Sequence, residues 1–135
     1  MIDILNYVYD TLVNDDELMT LVKKEDFYFN DTPDAENILR PTVILDDFDD
    51  PYPEEYYDGD MVAQNYAFQI DVYVKANKSF NARLRRNEIS SRIKKILWNK
   101  HKISLSSNMG NETNKQFALY RSTRRYEAIF YEEEF

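Results

Sequence analysis

Residues 66–75 read YAFQIDVYVK, and the alternation in this run decides the fold. Phe68, Ile70, Val72 and Val74 point one way; Gln69, Asp71, Tyr73 and Lys75 point the other. A period of two, rich in β-branched and aromatic residues, predicts a strand with one buried face. After a short polar link the period changes. Leu84, Ile89, Ile93, Ile96 and Leu97 fall on one stripe of a helix, while Arg83, Arg85, Arg86, Arg92, Lys94 and Lys95 cover the rest. A strand followed by a cationic amphipathic helix is expected, with Ser79 or Asn81 as the cap and an end near Trp98 or Lys100.

Working outward, Leu5, Val8, Tyr9 and Leu12 recur with Ile2 at helical spacing, and Asn14-Asp15-Asp16 breaks them. A bent N-terminal helix is expected there, with Asp15 or Asp16 capping its second part. Phe27–Phe29 and Thr42–Leu45 are short apolar strands separated by turn residues. From Asp46 to Asp60 the chain carries eight acids, no base, two prolines and a glycine, which predicts a long acidic hairpin loop. Ile103–Leu105 is a short strand, Ser106–Lys115 a polar loop, and Phe117–Tyr120 begins another strand. In the last strand Tyr126, Ala128 and Phe130 alternate against Glu127, Ile129 and Tyr131. The expected fold class is α+β: a mostly antiparallel sheet, with an N-terminal helix and one long amphipathic helix on one face. The 135 residues fit a single domain, 1–135.

Composition narrows function. Hydrophobic residues make up 43% of the chain, and eight Phe, 11 Tyr and one Trp argue for a packed core despite 31% charge. Tyrosine packs its ring while its hydroxyl stays wet, so this excess fits an interface or half-buried sheet edges. Net charge is −8, which opposes DNA binding through the overall field. The charge is also segregated. Against the acidic run stand ten bases and one acid, Glu88, between Lys75 and Lys102. Such segregation can dock one copy on another, or it can be two solvated faces of a monomer. The interface candidates are therefore Asp46, Asp47, Asp49, Asp50, Glu54, Glu55, Tyr56 and Tyr57 on the acidic side, and Arg83, Arg85, Arg86 and Arg92 on the basic side.

Catalytic patterns do not stand out. The single histidine, His101, lies between Lys100 and Lys102 with no orienting carboxylate in sequence. Gly59 and Gly110 are too far apart for a phosphate loop. The aspartates of 46–60 lack calcium-loop spacing, so no metal site is expected. No cofactor is expected either. With no cysteine there is no thiolate site or disulfide framework. MIDILNYVYD carries no positive stretch, so no signal peptide is expected, and no apolar run approaches the ~20 residues of a membrane span. A soluble protein made in the cytosol is the expectation. The basic helix offers enough charge to touch several phosphates, but no helix-turn-helix or zinc pattern accompanies it.

The strand QIDVYVK at Gln69–Lys75, the helix EISSRIKKILW at Glu88–Trp98 and the strand RRYEAIFY at Arg124–Tyr131 together resemble the tail terminator, or tail-completion, proteins of long-tailed phages and prophages of Gram-positive bacteria. The resemblance runs through most of the chain in order, and the acidic run at 46–60 has no counterpart in it. It implies a non-enzymatic ring, usually a hexamer, that caps the tail tube, stops its polymerisation and receives the head connector. Its partners are then other copies, tail tube protein and connector protein, with no membrane involved. DNA passes through the channel without specific binding. The location is the neck of the virion, reached from the host cytoplasm during assembly. Alternatives are another neck protein, an adaptor or stopper, and a non-phage α+β interaction domain.

Overall fold

A computed structural model describes residues 3–48, 52–57 and 60–131, with side chains described for 3–48 and 63–130. Helix α1 (Ile4–Val13) and the single turn α2 (Asp16–Met19) open the chain. Strands β1 (Phe27–Phe29), β2 (Thr42–Asp46), β3 (Tyr52–Tyr57) and β4 (Asp60–Lys75) follow. Helix α3 (Ala82–His101) then leads to β5 (Ser104–Asn114) and β6 (Leu119–Tyr131). The fold is α+β, with both main helices on one face of a six-stranded sheet.

Strand order is β1-β2-β4-β6-β5, with β3 also paired to β4. Only β1 and β2 run parallel; the other pairs are antiparallel. Strand β4 is the shared member. Its second half pairs β2, with Thr42 opposite Tyr73 and Asp46 opposite Gln69. Its first half pairs β3, with Tyr52 opposite Asn65 and Tyr57 opposite Asp60. β2 and β3 thus follow one another along the same flank of β4. Along the other flank β6 runs in register from Ala63–Tyr131 to Lys75–Leu119.

The core lies between the sheet and the helices. Phe68, Ile70, Val72 and Val74 of β4 are buried, as the alternation predicts, beside Tyr126, Ala128 and Phe130 of β6. Phe68 and Tyr126 stack with ring centroids 5.6 Å apart. From the helices come Ile4, Leu5, Val8 and Leu12, and Ile89, Ile93, Ile96 and Leu97. Each fully buried side chain of this size contributes roughly 1.5–3 kcal/mol over its exposed state. That matters most for α1, whose ten residues are too few to hold a helix alone. Asp3 caps α1, Asp15 caps α2 and Asn81 caps α3, each side chain accepting a backbone N–H of the first turn.

Four expectations change. Asp46–Asp60 is not a long loop: Tyr52–Tyr57 forms β3, and β4 begins at Asp60 rather than Tyr66. Pro53 is tolerated because β3 lies at the sheet edge, where a missing N–H breaks no inner ladder. Ser106–Lys115 is likewise mostly strand β5, held by its pairing with β6 through two register shifts. Leu84 leaves the apolar stripe and is half exposed, since it sits about 140° round the helix from Ile89. Arg86 does the reverse and is buried, together with Ser90.

Candidate interaction surfaces

Helices cover one face of the sheet; the other face carries a polar ladder. β4 contributes Gln69, Asp71 and Tyr73 to it, and the register sets these opposite Arg125, Thr123 and Arg121 of β6. Arg121 bonds the buried Asp71 at 3.2 Å and reaches Glu112 of β5 at 3.5 Å. Its guanidinium also lies 5.4 Å from the Tyr73 ring. Burial by itself lowers the Arg121 pKa, but Asp71, Tyr73 and Glu112 outweigh it and the pKa stands above the usual arginine value. Tyr73 moves up, chiefly through burial, against the pull of Arg121. Arg125 donates to Gln69 at 3.0 Å and covers the ring of Phe48 at 4.2 Å.

At one end of this face the segment after β1 folds back over the sheet. Thr32, Pro33 and Ile38 wall a cleft of about 250 Å³ against Tyr73, Glu112 and Arg121. Its two charged groups, Glu112 and Arg121, are paired with each other, and His101 is not among its lining residues. Among the described residues no group of His, Cys, Asp or Glu is arranged to hold a metal ion.

His101 sits on the other side of the molecule. Thr11 donates its hydroxyl proton to the Tyr7 carbonyl at 3.0 Å, so its oxygen is left to accept from His101 Nε2 at 2.8 Å. That tautomer leaves Nδ1 to accept from the Tyr7 hydroxyl, also at 2.8 Å. Burial, then Lys100, lowers the His101 pKa. The ring is a clasp between α1 and the end of α3, satisfied on both nitrogens.

The described acidic candidates lie at the end of β2 and in β3, along one flank of β4. Asp46 ends β2, and its pKa is raised by burial and by Asp47 and Asp71, against Arg125. Asp47 donates its backbone N–H to Asn30 at 3.1 Å. Glu54, Glu55, Tyr56 and Tyr57 belong to β3. Asp49 and Asp50 lie outside the described residues.

The four basic candidates part company. Arg92 holds Asp15 and Glu17, and Arg85 holds Glu88 at 3.2 Å while covering the Phe80 ring. Arg83 is exposed and Arg86 buried, and neither meets a carboxylate among the described residues. Arg86 donates twice to the amide oxygen of Asn87, at 3.1 and 2.9 Å, and lies 5.9 Å from the Tyr120 ring. Its pKa is lowered by burial, then by Arg124 and Arg83.

Sequence reasoning missed Arg121, Arg124 and Arg125 on β6. Arg124 had a legible signal. Ser122 and Arg124 occupy inward positions of a strand, as Arg86 and Ser90 do on the helix, and the polar sets face each other. The Ser90 and Ser122 hydroxyls meet at 2.5 Å, both buried. Arg124 turns outward towards β5, donating to the carbonyls of Gly110 at 3.4 Å and Thr123 at 3.1 Å, and to Asn111 at 3.3 Å.

No family model and no curated protein matches the chain. Among solved structures it is similar to a chain of the "Virion of native gene transfer agent (GTA) particle", with a TM-score of 0.65 over 92% of this chain and 91% of that one, at 14% identity. At that identity the likeness establishes a shared fold.

Proposed function

We propose that this chain is a structural protein of a phage-type virion, a tail terminator. It forms a hexameric ring on the end of the tail tube, halts tube growth and joins the tail to the head connector. The observation that carries this reading is the likeness in fold, over nearly the full length of both chains, to a component of a gene transfer agent virion. The sequence resemblance at Gln69–Lys75, Glu88–Trp98 and Arg124–Tyr131 supports the finer assignment. Charged groups tied to one another on the open sheet face, Arg121 to both Asp71 and Glu112, suit a scaffold rather than a reactive site, and the role involves no reaction. A net charge of −8 suits a channel through which DNA slides without specific binding. The site of action is the neck of the virion, reached from the host cytoplasm.

Negative-stain imaging of the protein mixed with polymerising tail tube protein from the same source tests the proposal. Tubes of limited length, each with a ring at one end, are the expected outcome. Unchecked, uncapped tubes would shift the assignment to an adaptor or stopper if the protein instead joined a connector. They would shift it to a non-phage interaction domain if it joined neither.

A further inference from the structure

Three arginines gather near β5 with no carboxylate bonded to them among the described residues: Arg83 stands one helical turn from Arg86, and Arg124 reaches Gly110 and Asn111 of β5. Arg83 and Arg86 come from α3 and Arg124 from β6. Arg86 is only 5% exposed, and its guanidinium meets the neutral Asn87 amide. Arg124 likewise reaches neutral oxygens only. A buried cation with like charges for neighbours is expensive to hold. This chain has 25 acidic residues against 17 basic ones, yet supplies none here among the described residues. The cluster is therefore short of an anion.

The strand beside it is short of a neighbour. β5 runs for 11 residues at the sheet edge, nearly all exposed. Its sequence, SLSSNMGNETN, has no lysine, arginine or proline to guard an open edge; its only such devices among the described residues are two register shifts against β6 and Glu112, which is tied to Arg121. At the opposite edge of the same sheet lies β3, inside the run of eight acids.

We infer that the β5 edge and its arginine cluster receive the acidic β3–β4 arm of a second copy. The arm adds a strand to the neighbour's sheet and brings its acids to Arg83, Arg86 and Arg124. Two unlike surfaces meet, so the contact is heterologous and repeats head to tail, as a ring requires. The inference rests on the proposed ring only in that both set copies side by side.

Reciprocal charge reversal tests it in the free protein, without tail tubes. The Arg83→Glu/Arg124→Glu chain keeps the arm and loses the cluster; the Glu54→Lys/Glu55→Lys chain does the opposite. Circular dichroism first establishes that both fold. By sedimentation at low salt, each variant alone is expected to self-associate about tenfold or more weakly than the wild type. A one-to-one mixture is expected to recover association, because the reversed surfaces complement each other. Wild-type protein that stays monomeric at millimolar concentration would overturn the inference. So would variants that associate as well as the wild type. Duplex-DNA binding that is lost in the Arg83→Glu/Arg124→Glu chain, with sedimentation unchanged, would assign the cluster to phosphate and equally overturn it. Such failure leaves tube capping intact, since a ring can close through other surfaces; failure to cap leaves the measured self-association intact.

Discussion

Arg92 grips Asp15 through two parallel hydrogen bonds, Nε to Oδ2 at 3.0 Å and Nη2 to Oδ1 at 2.8 Å. The same Asp15 Oδ2 accepts the Leu18 N–H at 2.9 Å and so starts α2. One carboxylate thereby caps one helix and ties it to the middle of another.

Asp15→Ala is expected to cost about 1 kcal/mol through the cap, with a further loss from releasing Arg92, read by urea denaturation. Asp15→Asn keeps a competent cap and removes only the charge. The hydrogen bond from Arg92 holds the Asp15 pKa below its usual 3.8, with further help from Leu18 and against burial. A lowered carboxylate pKa stabilises the fold above the unfolded value and is lost as pH falls through the folded one. The stability gap between wild type and Asp15→Asn is thus full near neutrality and closes below pH 3.8. A gap that persists in strong acid would refute the ion-pair account.

Ser90 and Ser122 satisfy each other in the core. Ser90→Ala strands the Ser122 hydroxyl, which is fully buried, at a cost of about 1–3 kcal/mol. Changing both to alanine is expected to recover part of that loss, because neither polar group then remains unpaired. Denaturation of the two single variants and the double variant gives the coupling directly. Strictly additive costs would show that the bond contributes nothing.

His101 is held neutral, with its pKa below the usual 6.5 through burial and Lys100. For a histidine lowered in the fold, the contribution to stability is present above the unfolded pKa of 6.5. It is lost as pH falls from there to the folded value. The melting temperature of the wild type is expected to drop on acidification below 6.5, and that of His101→Gln to drop less. An NMR titration midpoint at or above 6.5 would contradict the clasp.

Lys102 ends α3 in the left-handed region at φ 55°. Its N–H bonds the Trp98 carbonyl at 3.0 Å, and the next N–H, of Ile103, reaches back to Leu97 at 3.1 Å. This C-cap favours glycine. Lys102→Gly should raise stability by about 0.5–1 kcal/mol, less whatever the Lys102–Trp98 cation–π contact contributes at 4.9 Å. A destabilised variant in thermal denaturation would show that the contact outweighs the backbone strain.

What the sequence revealed followed burial. The alternation at Phe68–Val74 and Tyr126–Phe130 was legible because one side of each strand is apolar and the other polar. β5 was legible only at its start, up to Leu105; beyond it the strand is mostly polar and exposed, so no periodicity marks it, and pairing with β6 makes it a strand. β3 was hidden by Pro53 and its acids, which an edge admits and an inner strand does not. Arg86 was misplaced because a positive charge was taken as outward, although its position falls on the stripe with Ile89 and Ile93. The Asp71–Arg121 pair needs a cross-strand register linking residues 50 positions apart, which no local pattern encodes.

Strands β2 and β3 share one flank of β4 in succession, and this separates the size of the arm from the integrity of the core. Two residues added to each strand of the arm would lengthen it by about 7 Å and restore the same inside–outside parity. No side chain opposite the helices would have to move. The length of this hairpin can therefore change in two-residue steps on an unchanged scaffold.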